Sequence, residues 1–173
     1  MDAGITRGQT AGYWIRALGL VPHPEGGHWV QTYRAREEIN ASGPPSRFGA
    51  ARPCSTAIYF LLRSGEYSAF HRLKADELWH FYAGGPLTLW IIDEGGELVP
   101  RRLGPHHDRG QSFQVAVPAR SWFGATVDDP GTFTLVGCTV APGFDFADFE
   151  LGDRETLLRM YPQHRAIIER LTR

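Results

Sequence analysis

The sequence has little cysteine, no bias of charge and no long apolar run, and each shortage removes a class of protein. Two cysteines in 173 residues, Cys54 and Cys138, form no CxxC pair. Neither a disulfide framework nor a thiolate metal cluster is expected, and both thiols are assigned to packing. A net charge of -1, from 18 basic and 19 acidic residues, sets up no field that would draw nucleic acid or an anionic membrane. No stretch approaches the roughly 20 apolar residues of a membrane helix, and the opening MDAGITRGQT lacks the apolar centre of a secretory leader. A cytoplasmic location is expected. The length suits one domain over 1–173, with a barrel core at about 26–142 and a helical tail at about 152–173.

What the sequence has in quantity is glycine (20) and proline (12), placed between short apolar runs rather than gathered in a linker. After a short helix over Thr10 to Leu18, capped by Thr10 and Gly19, comes the corner VPHPEGG, whose prolines and glycines exclude helix. Strand-like runs follow at His28 to Arg36, Ser55 to Arg63, Tyr67 to Leu73, Leu78 to Ala83, Leu87 to Asp93, Glu97 to Leu103, Phe113 to Val117, Trp122 to Thr126 and Thr132 to Val140. Turn signals such as Asp93-Glu94-Gly95-Gly96 separate them. Many short strands without helices between them predict an all-β antiparallel sandwich or barrel. The segment Ile39 to Pro53 is the one long loop expected. Helices are expected after Asp153 and Pro162, with Ile167, Ile168 and Leu171 packing on the barrel exterior.

Strand parity nominates the site. If His71 points inward, Tyr67, Ala69 and Leu73 share its face while Ser68, Phe70 and Arg72 point out; on the next strand Glu77, Trp79 and Phe81 share a face, and His80 points away. A carboxylate beside a buried imidazole can orient it and hold a proton near neutral pH, which suits enolisation, epimerisation or elimination. The same pair can also serve only as mutual partners in a core. Tyr33, Tyr59, Trp79, Gln114 and Trp122 each join a polar handle to an apolar body or strand and are the candidate substrate contacts; Tyr33 or Tyr59 could supply a second proton. His23, Glu25 and His28 read as part of a structural corner rather than a metal group, and His106 and His107 as a solvent-exposed turn.

The run from Gly65 through His71, Leu73 and Glu77 to Gly84 resembles the first signature of the cupins, except that Leu73 stands where a second histidine is usual. The segments LGLVPHPEGGHWVQTYR, STAIYFLL, FHRLKADELWHFYAGGPL, GQSFQVAVPARSW and LVGCTVAPGFDFADFEL resemble the DUF985 family, placed in that superfamily. The resemblance implies a cupin double-stranded β-helix, or jelly-roll barrel, with a cavity inside and a homodimeric assembly. It also implies a second signature near Pro118, with Arg120 at its glycine position and Phe123 at its histidine. Two of four usual ligands remain, so no metal and no other cofactor is expected unless His80 or Gln114 completes the shell. The sequence departs from the family at Val30 and Gln31, where Arg and Glu are common. The leading expectation is a barrel that binds a small sugar-like or sugar-nucleotide-like ligand and moves a proton on it through His71 and Glu77. A non-catalytic metabolite binder and a metal-dependent isomerase or oxygenase are the two other readings.

Overall fold

The computed structural model describes residues 9–40 and 46–173. Most of the opening MDAGITRGQT and the middle of the expected loop, residues 41–45, lie outside them. The helix α1 (Ala11–Leu18) starts where Thr10 Oγ1 accepts the Tyr13 N–H and ends at Gly19 in the left-handed region. Trp14, Ile15 and Leu18 then pack over Leu61 and Leu135.

Thirteen strands follow among the described residues: β1 (Val21–Pro22), β2 (His28–Arg34), β3 (Glu38–Ile39), β4 (Arg52–Pro53), β5 (Thr56–Arg63), β6 (Tyr67–Leu73), β7 (Asp76–Gly84), β8 (Leu87–Ile92), β9 (Leu98–Leu103), β10 (Gln114–Val117), β11 (Trp122–Val127), β12 (Phe133–Ala141) and β13 (Phe149–Leu151). The expected long loop is therefore shorter than its span suggests, because β3 and β4 pair within it. Two antiparallel sheets face each other, ordered β1-β2-β5-β12-β7-β10 and β13-β6-β11-β8-β9.

Alternate residues from both sheets fill the space between them. On β5, Ile58, Phe60 and Leu62 point inward, while Tyr59 and Leu61 point out beneath α1. Both faces of such a strand are covered, which explains why its sequence is apolar almost throughout. The helices α2 (Arg154–Met160) and α3 (Arg165–Leu171) cover the outer face of the second sheet, where Leu157, Ile168 and Leu171 bury against Phe70 and Trp122. Asp153 caps α2 by accepting the Thr156 N–H. Gly124 allows this approach, since a Cβ there would stand 2.7 Å from the Ser68 carbonyl oxygen and 3.1 Å from Leu171.

Three register shifts decide which side chains reach the interior; one lies between β12 and β7, where Tyr82 is the extra residue, and the other two shape the site. The β2–β5 register shifts between Gln31 and Tyr33, and the β6–β11 register shifts so that Phe123 faces His71 while Ala125 faces Ser68. Each inserts one residue and reverses the faces beyond it.

Candidate functional site

The site lies at the end of the barrel closed by the His23–Gly27 corner and the stretch from Phe144 to Phe149. The corner is tied by the His23 N–H to the Gly27 carbonyl and the Gly26 N–H to the His23 carbonyl. Gly26 has φ of 116°, and a Cβ on it would stand 2.2 Å from the Tyr67 carbonyl oxygen. Only glycine lets the corner come this close to β6. Once there, the Glu25 carbonyl accepts the Ala69 N–H at 2.8 Å, and the Glu25 side chain enters the barrel.

The β6 bulge prepares its reception. Beyond the inserted residue Ser68 turns inward and donates its hydroxyl to Glu25 Oε1 at 2.8 Å. Tyr67 turns outward, toward the cluster under the C-terminal helices. Both placements reverse those expected from uninterrupted alternation. His71 is inward as expected, fully buried, with its ring 4.1 Å from that of Phe123. Its Nδ1 stands 2.8 Å from the Ala69 carbonyl; a carbonyl only accepts, so Nδ1 carries a hydrogen. Its Nε2 therefore faces Glu25 Oε2, at 3.2 Å, with either a lone pair or a shared proton. Glu25, rather than Glu77, is the partner that orients the imidazole.

Glu77 enters from β7 on the opposite sheet, 7% exposed, and its Oε2 has no hydrogen-bond partner among the described residues. Burial pushes both carboxyls up to about 7, with the nearby His71 drawing Glu77 back and His23 and Ser68 drawing Glu25 back. Burial also lowers His71 and His23, opposed by Glu77 and Glu25 respectively. Near neutral pH the cavity thus holds carboxyls poised between their two forms beside neutral imidazoles. Cys138 lines the same wall, its thiol held well above its usual range by burial and by the two carboxylates.

The hollow amounts to about 470 Å³ counted out to its mouth, yet the centre of a water molecule can move within only about 40 Å³ of it. Its walls are otherwise Trp29, Phe60, Leu73, Trp79 and Val140, and its mouth is aromatic: Phe144, Phe149 and the half-exposed Phe146, with His23 stacked on Phe146 at 6.2 Å between ring centres. A buried ion pair anchors this rim. Arg52 donates to both carboxylate oxygens of Asp148, at 2.6 and 2.9 Å, and to the Phe48 carbonyl. This fixes the residue before Phe149.

Of the candidate contacts, Trp79 lines the hollow. The other four lie on the outside. Tyr33 follows the β2 bulge and is 54% exposed. Tyr59 has the outer parity of β5 and meets Tyr82 edge-on. Trp122 packs under the C-terminal helices. Gln114 Nε2 donates to His80 Nδ1 on the outer face of β10 and β7. His23 and Glu25, read from sequence as structural, are the site residues that this reading missed. A carboxylate fixed between prolines and paired glycines was the available signal.

Five donor side chains, His23, Glu25, His71, Glu77 and Cys138, therefore face the hollow, and whether they fit the metal implied by the signature can be tested on their geometry. His71 Nε2 is directed at Glu25, whose other oxygen is taken by Ser68. Leu73 and Phe123 put carbon where two more imidazoles would stand, and His80 and Gln114 face outward, engaged with each other. Among the described residues no three His, Cys, Asp or Glu side chains converge so as to hold an ion. The residues as they stand do not fit a metal.

Comparison with known proteins gives a consistent picture. The family model described as Cupin superfamily (DUF985) matches residues 12–152. An X-ray structure of a protein from Shewanella oneidensis superposes with a TM-score of 0.86 at 44% identity, covering 95% of this chain and 98% of that one. A hypothetical protein from Leishmania major gives 0.85 at 36% identity, covering 94% and 98%. More distant structures share the fold alone: a cupin 2 domain-containing protein from Halorhodospira halophila scores 0.55 at 16% identity, over 88% and 87% of the two chains. Oxalate decarboxylase from Bacillus subtilis scores 0.52 at 13%, over 87% of this chain and 36% of that one. No curated protein matches the sequence.

Proposed function

Because this chain belongs to the DUF985 family of the cupin superfamily, and has its double-stranded β-helix, we propose that it binds a compact sugar-like carbonyl compound in the barrel and moves a proton on it. The observation that carries this reading is the pairing of His71 Nε2 with Glu25 Oε2 on one wall while Glu77 offers a free carboxyl oxygen from the other. One wall can take a proton from a carbon next to a carbonyl and the opposite wall can return it, which is the requirement for isomerisation or epimerisation. Glu25 and His71 together hold one proton that can sit on either atom, so the pair works as acid or base without a net charge entering the dry hollow. Trp79 and the phenylalanines of the mouth supply flat apolar walls of the kind that sugar rings and short carbon chains pack against. The narrow interior favours a small substrate; the nucleotide part of a sugar nucleotide would have to remain outside.

The test is wash-in of solvent deuterium, followed by proton NMR, across a panel of aldoses, ketoses and keto acids. Wild-type protein should exchange one C–H position of a bound compound. His71→Ala and Glu77→Gln should slow exchange by about 10²-fold or more while thermal-shift binding persists. Binding without exchange in the wild type would favour a metabolite carrier, the reading in which the same groups only recognise the ligand. Stoichiometric metal in the purified protein would overturn the metal-free assignment. The proposal includes a homodimer, supported by the exposed aromatics Tyr33 and Tyr82 on the outer face of the six-stranded sheet and by Phe113 beside them. Light scattering that gives a monomer at micromolar concentration would remove that part.

A further inference from the structure

Behind Leu73 and Phe149, which wall the hollow on one side, lies a second depression lined by Arg47, Arg72, Lys74 and Arg120 together with Asp148 and Glu150. Its charge does not cancel. Asp148 is already held by the buried Arg52 through two hydrogen bonds, so Lys74, 3.3 Å from the same carboxylate, is a second cation on one anion. Arg72 is paired with Glu150 and held over the ring of Trp122 at 4.5 Å. Arg47 donates to the Lys74 carbonyl oxygen and lies over Phe48, with no carboxylate partner among the described residues. Arg120 has no side-chain partner among them either.

Arg120 carries a further sign. It has φ of 68° and is the one non-glycine residue in the left-handed region among the described residues. The turn that forces this is tied down on both sides: the Arg120 N–H is held by the Leu73 carbonyl and the Ala119 N–H by Asp76 Oδ1. A glycine would adopt this conformation without strain, and it is glycine that the related cupin signature places there. Keeping an arginine at such a position costs stability, and the guanidinium it retains points to a use for its charge.

From the uncompensated cations and the strained arginine among them we infer that this depression binds a phosphate-class oxyanion, separate from the hollow and outside its chemistry. Guanidinium groups present paired N–H donors that match phosphate oxygens two at a time, and Lys74 adds a mobile point charge. The carboxylates in the depression are each engaged with a cation, so neither is free to repel the ligand. With about 650 Å³ of open space out to its mouth, the depression has room for a phosphate ester as well as the bare ion.

The test titrates inorganic pyrophosphate and glucose 6-phosphate into the full-length protein by calorimetry, with glucose as control, at two salt concentrations. Both phosphates should bind saturably and more weakly at higher salt, whereas any heat from uncharged glucose, which would report the hollow, should not change with salt. If the depression takes only the free ion, pyrophosphate will bind and glucose 6-phosphate will not; if it takes the esterified group, both will. Arg47→Gln and Arg120→Gly should each weaken binding about tenfold, Glu77→Gln should leave it unchanged, and Arg120→Gly should melt no lower than wild type. No saturable binding of either phosphate, or wild-type affinity in both arginine variants, overturns the inference. So does a phosphate site abolished by Glu77→Gln, which would put the anion in the hollow instead.

Discussion

Glu25 Oε2 and His71 Nε2 stand 3.2 Å apart, so a residue from a proline-glycine corner and a residue from the middle of a strand are within reach of one proton. Replacing Glu25 with Gln keeps the shape and removes the proton with near-neutral affinity. Deuterium exchange on a bound substrate should fall by about 10² to 10⁴, with ligand affinity changed only a few-fold. Exchange at the wild-type rate would mean that Glu25 merely props the ring.

The two carboxyls also set a pH dependence of stability. Folding raises Glu25 and Glu77 from 4.5 to about 7. Between those values the folded protein keeps protons that the unfolded chain releases, so their stabilising contribution is full at acid pH and is lost as pH rises through the interval. His71 and His23 act in the opposite sense: their lowered values mean that the unfolded chain takes up protons first below 6.5, and stability falls toward acid. Glu77→Gln isolates one carboxyl. Its melting temperature relative to wild type should climb between pH 5 and pH 8 by several degrees, reflecting on the order of 3 kcal/mol. A pH-independent difference would refute the raised value.

Asp148 and Arg52 are 5% and 6% exposed at their side chains. Asp148→Asn leaves a buried guanidinium without its anion and should cost about 3–5 kcal/mol in urea denaturation. The double change Arg52→Met with Asp148→Leu should recover most of that loss, because no buried charge remains. Equal losses in the single and double variants would show that the pair's worth lies in its shape.

Gly26→Ala tests the corner. The new methyl would meet the Tyr67 carbonyl oxygen at 2.2 Å in a backbone conformation closed to alanine. A loss of about 2–4 kcal/mol is expected, with substrate exchange reduced beyond what the stability loss explains, since Glu25 is displaced with the turn. Wild-type exchange in a folded Gly26→Ala protein would detach the corner from the chemistry.

Nine of the thirteen strands among the described residues are legible because turn residues and alternating side chains are local signals, and β6 occupies the expected Tyr67 to Leu73; β1, β3, β4 and β13, two or three residues each, are too short to show a period. His71, Glu77 and Trp79 were legible for the same reason, each being in register with its strand. The two bulges were not. Nothing in HWVQTYR or YSAFHRL marks the extra residue, which satisfies pairing across strands distant in sequence, so Tyr33 stands outside the hollow it is expected to line and Tyr67 and Ser68 take the opposite faces from those that alternation gives them. Glu25 was missed for a related reason. A corner has no parity from which to infer direction, and only its docking on Ala69 turns the carboxylate inward.

The strand that presents His71 to the hollow has Phe70 on its reverse, held by Ile168 and Leu171 of the C-terminal helix. The depth at which the imidazole stands is thus set by a clamp from outside. A nick in the polypeptide ahead of Arg165 would be felt at the imidazole although it touched nothing in the hollow.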